Sequence, residues 1–193
     1  MKHNSDSAST TTIDAAAFER NKFKTQILAE QVKLLYRFGR RTRYGSLILA
    51  ILVSIVLWDV RPHWAVIGFL ALSTIVMGLR IALSSAYERS APVEEQALRW
   101  GKWSAGLTLL NGYTWGAAAV LLFVPGSITY QVFLVLSVVG ICAGSVTGNA
   151  PYIPAFYGFF LPPTLAMVGR LLAEGDLIHL ASGGMGVVFV GLF

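Results

Sequence analysis

In a chain that is 55% hydrophobic and only 13% charged, the polar side chains are few enough to be weighed group by group. The densest group is Asn111-Gly112-Tyr113-Thr114-Trp115-Gly116. Asn111 offers a directional donor and acceptor, and Tyr113 and Trp115 offer aromatic faces, a set that suits a ligand or lipid pocket inside a helical bundle. The same residues suit an interhelical hydrogen bond that only fixes packing, worth about 0.6 kcal/mol on average. Both readings stand at this level. A second group is charged. Asp59, Arg61 and His63 form one cluster, and Arg170, Glu174, Asp176 and His179 another. Histidine is the side chain that ordinarily titrates near neutral pH. If the two clusters meet, Asp59, His63, Arg170 and His179 make an outer-face sensing site; if not, they are solvated turn ends.

Other chemistry lacks its residues. Cys142 is the single cysteine and lies in an apolar run, which excludes an intrachain disulfide and fits core packing. The three histidines are far apart, and none has ligand spacing with a carboxylate, so no metal site is expected. There is no phosphate loop, nucleophile elbow or HExxH pair, so neither a catalytic residue nor a cofactor is expected within this chain.

Glycines supply the next pattern. Gly140, Gly144 and Gly148 recur every four residues, as do Gly112 and Gly116. Small residues four apart let another backbone approach closely, so these five are expected to pack helix on helix, with a dimer seam or room for a ligand as the alternatives. Ser182, Gly183, Gly184 and Gly186 thin the last apolar segment in the same way.

The elements that position these groups follow from charge and hydropathy. Arg37, Arg40, Arg41 and Arg43 form a basic collar directly before an uncharged apolar run. Such a collar stays on the cytoplasmic side, so the chain crosses outward from about Gly45. Six apolar segments follow: Gly45 to Trp58, His63 to about Tyr87, Trp103 to Val124, Ser127 to Gly148, Tyr152 to Leu172, and Leu177 to Phe193. At about 20 residues per crossing these read as six spans. On that layout thirteen Lys/Arg fall inside and two, Arg61 and Arg170, outside, so both termini are expected in the cytoplasm. Arg80 is placed to snorkel to the inner headgroups, and Trp58, Trp64, Trp100 and Trp103 flank the spans as interfacial aromatics. Pro162 and Pro163 are expected to break or kink the fifth helix.

The tail divides in two. Residues 1–12 are small and polar and are expected to be disordered. Residues 13–43 read as a basic amphipathic helix with Phe23, Ile27, Leu28, Val32, Leu35 and Phe38 on one face, lying in the inner headgroup plane or packed on a partner subunit. Residues 44–193 are the transmembrane part. The expected fold is therefore an all-α membrane protein, a bundle of about six transmembrane helices preceded by that juxtamembrane helix. The charge is local: residues 1–43 hold nine Lys/Arg against four Asp/Glu, and the rest six of each. Its natural partner is an anionic bilayer surface and not nucleic acid.

Several stretches together carry a resemblance: AEQVKLLYR before the first span, Leu57-Trp58, YTWGAAAVLLF in the third, and YIPAFYGFFLPP leading into MVGRLLAEGD. Over about residues 29–193 the chain resembles the N-terminal membrane input region of bacterial sensor histidine kinases and of GGDEF-type diguanylate cyclases. That resemblance implies a sensory and dimerising module in the bacterial inner membrane, a homodimer, a small hydrophobic or lipid-like ligand, and a catalytic part beyond residue 193. The alternative is a small multi-pass transporter or channel, which would carry charged or broken-helix sites at midplane or an internal repeat.

Overall fold

A computed structural model describes the backbone of residues 5–90 and 94–191, and side chains outside 5–18, 21 and 40–43. Among these residues every regular element is helical: α1 (Ser5–Leu57), α2 (His63–Ser90), α3 (Ala97–Leu121), α4 (Ile128–Asn149), α5 (Ile153–Glu174) and α6 (Leu177–Gly191), with a 3-10 turn at Glu94–Gln96. Three helices, His63–Ser90, Ile128–Asn149 and Ile153–Leu172, are long and apolar enough to cross a membrane, and the stretches Tyr44–Leu57 and Leu177–Gly191 are apolar but shorter. The chain is thus an all-helical, membrane-associated protein.

The tail departs from expectation. Helix α1 is continuous from Ser5 to Leu57, so residues 5–12 are helical and no boundary falls at residue 43; residues 1–4 lie outside the described part. Extending an existing helix adds one backbone hydrogen bond per residue fixed, whereas starting a new one is costly. Nor does residues 22–39 of α1 lie apart from the bundle. Val32, Tyr36 and Ala97 are buried together with Tyr87 and Trp100 beside them, and Leu35 is buried against Tyr152 and Ala155. Tyr36 stacks on Tyr87 at 3.9 Å between centroids and donates its hydroxyl to the Trp100 carbonyl at 3.2 Å. The apolar face read from the sequence is split by this docking: Val32 and Leu35 are buried, while Phe23, Ile27 and Phe38 are exposed.

The main core joins α1 to α5. Val53, Leu57, Val66, Phe69, Trp115, Leu134 and Phe159 are buried in one cluster, with Trp115 edge-on to Phe69 at 5.3 Å. Helix α3 packs most extensively on α5, α4 lies against α1 and α5, and α6 rests on α5. The turns are made as their residues dictate. Pro125-Gly126 reverses the chain with Gly126 at φ 76° and Ser127 N–H donating to the Val124 carbonyl, and Gly175 ends α5 at φ 79°. Both φ values are left-handed, where glycine pays no Cβ penalty.

Helix α5 runs through Pro162 and Pro163 without a break. A proline removes the hydrogen bond to the carbonyl four residues back, which here frees the oxygens of Gly158 and Phe159. Those two oxygens face Gly112: a Cβ built there would stand 2.7 Å from one and 2.9 Å from the other. The missing side chain lets the α3 backbone close on carbonyls the prolines left open, an arrangement suited to weak Cα–H···O contact. Gly116 meets the Pro162 carbonyl in the same way, its Cβ position lying 3.0 Å away.

Candidate functional site

The six helices leave one end of the bundle tied and the opposite half open. At the α5–α6 turn, Asp176 caps α6 by accepting the His179 N–H at 2.8 Å, and the same oxygen contacts His179 Nδ1 at 2.5 Å. Capping by a carboxylate suits a helix start, where free N–H groups and the helix dipole favour negative charge. These hydrogen bonds hold the Asp176 carboxyl below its ordinary range, first through the His179 backbone N–H and then through its ring. The other ring nitrogen of His179 reaches Gln131 Oε1 at 2.8 Å, and Gln131 Nε2 donates to the Val124 carbonyl at 3.1 Å. This run links α6, α4 and the α3–α4 turn. Arg170 pairs with Glu174 at 2.6 Å and lies over the Phe123 ring at 4.3 Å.

The two charged clusters do not join. Arg61 donates to the Leu121 carbonyl, which ties the α1–α2 turn to the end of α3. His63 stacks on Trp58 at 4.6 Å, and Asp59 is exposed. Among the described residues no hydrogen bond or ion pair connects Asp59 or His63 with Arg170 or His179. The four-residue sensing site therefore divides into a surface pair and a structural tie.

The open half holds a cavity of about 220 Å³ bounded by five helices. Helix α1 contributes Gly45, Ser46 and Leu49, and α2 contributes Arg80. From α4 come Gly140, Ile141, Gly144, Ser145 and Asn149, with Asn111 from α3 and Phe159 from α5. Of the three residues in the first polar group, Asn111 lines the cavity and is only 5% exposed. Trp115 is fully buried and stands behind the wall, its Nε1 donating to Ser46 Oγ at 3.2 Å. Tyr113 is 61% exposed, because two residues along a helix turn a side chain about 200° away from Asn111. The pocket is thus built without it.

Gly140 and Gly144 sit on this wall. A Cβ at either would meet nothing within 4 Å, so within the chain they hold space open and do not seat a neighbouring helix. Gly148 is buried near the end of α4. Gly112 and Gly116, by contrast, are pressed against α5 as expected for close helix packing.

Sequence reasoning passed over Asn149, and it placed Arg80 only as a side chain snorkelling to the headgroups. Asn149 is 4% exposed, and its side-chain oxygen is buried with no hydrogen-bond partner among the described residues. An unpaired buried polar atom costs about 1–3 kcal/mol, a condition the Asn149 oxygen shares with Ser73 Oγ and Trp100 Nε1. The available signal was that Asn149 and Asn111 are both amides within or beside apolar runs.

No protein-family model matches this chain, and no characterised protein or solved structure matches it either.

Proposed function

We propose that the chain is a membrane-embedded sensory and dimerising input module of a bacterial signalling protein, crossing the inner membrane six times with both termini in the cytoplasm. The observation that carries this reading is the place of the cavity against α1. Gly45, Ser46 and Leu49 of α1 form part of its wall, and the same helix runs back without interruption to Ser5. At 1.5 Å per residue that is about 60 Å of rod beyond Ser46. An occupant that binds two helix arrangements unequally shifts their populations, and a small tilt of α1 at the cavity passes to its neighbours through Val32, Leu35 and Tyr36, which pack on the other helices. The sensor-kinase and cyclase resemblance and the placing of thirteen Lys/Arg on one side support the same reading.

Two measurements test it. A phosphatase fusion after Glu94 is expected to be inactive; activity there overturns the orientation. With a reporter kinase fused after residue 193, Asn111→Leu is expected to shift the output set point at equal expression without abolishing output. An unchanged output in both Asn111→Leu and Gly144→Leu overturns the input role.

A further inference from the structure

We infer that His179 is a proton-binding site at the outer end of the bundle, whose occupancy ties α6 to α4, so that the stimulus it reports is acidity. The chemistry of the site stands on its own geometry; its use as a signal rests on the input role proposed above and names a stimulus for it.

Donors and acceptors around the ring decide its charge. Nδ1 lies 2.5 Å from Asp176 Oδ1, and that oxygen already accepts the His179 backbone N–H, so it is an acceptor toward the ring as well. Nε2 lies 2.8 Å from Gln131 Oε1. The Gln131 amide is not free to turn over. Its Nε2 donates to the Val124 carbonyl at 3.1 Å, and reversing the amide would set two oxygens against each other. Both ring nitrogens therefore face oxygen acceptors. A neutral imidazole has one N–H and the imidazolium has two, so only the ring with both protons makes both bonds.

The surroundings admit that charge. Asp176, which caps the same helix, supplies the counter-charge. On α5, Arg170 and Glu174 pair with each other at 2.6 Å, with Arg170 over the Phe123 ring. Helix α4 presents the uncharged Gln131, and the turn before it presents Phe123, whose ring lies 6.5 Å from that of His179. In the α1–α2 turn Arg61 is held by the Leu121 carbonyl, and neither Asp59 nor His63 bonds to His179 among the described residues. The His179 side chain is 11% exposed and that of Asp176 61%, so protons reach the ring from the carboxylate side.

When the ring gives up one proton to outer water, the remaining one is held best at Nδ1, where the acceptor is ionised and the bond is charge-assisted. The Nε2 lone pair then faces the Gln131 oxygen, and the bond to α4 is lost. That loss falls on a helix with few other ties: the backbone of α6 packs on α5 and on no other described helix. Protonation thus biases two arrangements of α6, as a ligand does.

The test uses the full chain in nanodiscs of neutral lipid, with nitrogen-15-labelled histidine, followed from about pH 5 to about pH 9, either side of histidine's ordinary range. His179→Gln identifies the His179 signals by their disappearance. The ring is expected to carry protons on both nitrogens at the acid end and on Nδ1 alone at the alkaline end. Amide hydrogen exchange in α6, corrected for its intrinsic pH dependence, is expected to quicken at least tenfold across the same step. His179→Gln and Gln131→Leu should lose that step, and Gln131→Glu, which keeps an acceptor, should retain it. If the variants fail to fold, the wild-type ring signals still decide. A ring whose proton count does not change over this range, or an exchange step that persists in His179→Gln, overturns the proton site. With the reporter kinase fused after residue 193, output is expected to follow outer pH in the wild type and not in His179→Gln. A ring and exchange step with an output indifferent to pH would sink the signalling use alone; a pH-dependent output that survives in His179→Gln would sink this site and leave the input role standing.

Discussion

Where α3 meets α5, a Cβ added at Gly112 would stand 2.7 Å from the Gly158 carbonyl oxygen; on α4 a Cβ added at Gly144 would meet nothing within 4 Å. Both glycines belong to the same four-residue spacing. One pair closes a seam, and the other holds a space. The difference lies in the facing helix: α5 presents carbonyls freed by Pro162 and Pro163, whereas α4 faces α1 across Gly45 and Ser46, whose own small side chains do not fill the gap. Small-residue spacing therefore marks where close approach is possible. Whether a helix uses the opening depends on what the partner surface offers.

The largest effect that would break this comparison is at the seam. Gly112→Leu forces a branched side chain into backbone atoms that cannot rotate away, and overpacking of this kind costs about 3 kcal/mol or more at a rigid site. The variant is expected to lose most of its folded yield in detergent, as read by size-exclusion chromatography and thermal unfolding. A midpoint equal to wild type would show that the α3–α5 contact is loose and remove the contrast.

A smaller effect of opposite sign is expected on the cavity wall. Gly144→Ala adds a methyl group to open space and replaces glycine by the best helix former, which raises stability by up to about 1 kcal/mol. The unfolding midpoint should rise or stay level. A clear fall would mean that a helix does come to rest on Gly144, and the wall would then be a seam like the other.

The smallest effect sharpens the picture of the tied end. Asp176 is held below the ordinary carboxylate range by the His179 backbone N–H and ring, so its ionised form stabilises the fold at neutral pH. That contribution is full above the ordinary carboxylate pKa of about 3.9 and is lost as pH falls through the lowered native value. Asp176→Asn is expected to show a slightly reduced midpoint near pH 7, with the gap to wild type closing on acidification below that range. A gap that stays constant with pH would assign the tie to capping geometry alone.

The helical class and three of the six apolar segments at membrane length were readable from composition and spacing, because hydropathy and the backbone needs of glycine and proline act locally. Pro125-Gly126 is an instance: the Gly126 φ of 76° follows from the residue type. The unbroken α1 was hidden, since the polar composition of residues 5–12 argues for disorder only if no helix already runs beside them. The candidate site was half readable. Asn111 could be singled out as an amide in an apolar run, whereas Tyr113, two residues further on, turns to another side of α3 and is exposed.

What the sequence by itself determined is therefore the chemistry available: a few polar side chains, Arg80, Asn111 and Asn149 among them, and a set of glycines within apolar helices. What only the tertiary structure decided is which of them share a space. Asn149 is 38 residues from Asn111 and 69 from Arg80 along the chain, yet all three line one cavity. No local rule encodes that meeting. It depends on how α1 and α4 settle against each other, and packing between distant helices is set by complementary surfaces that neither segment carries alone.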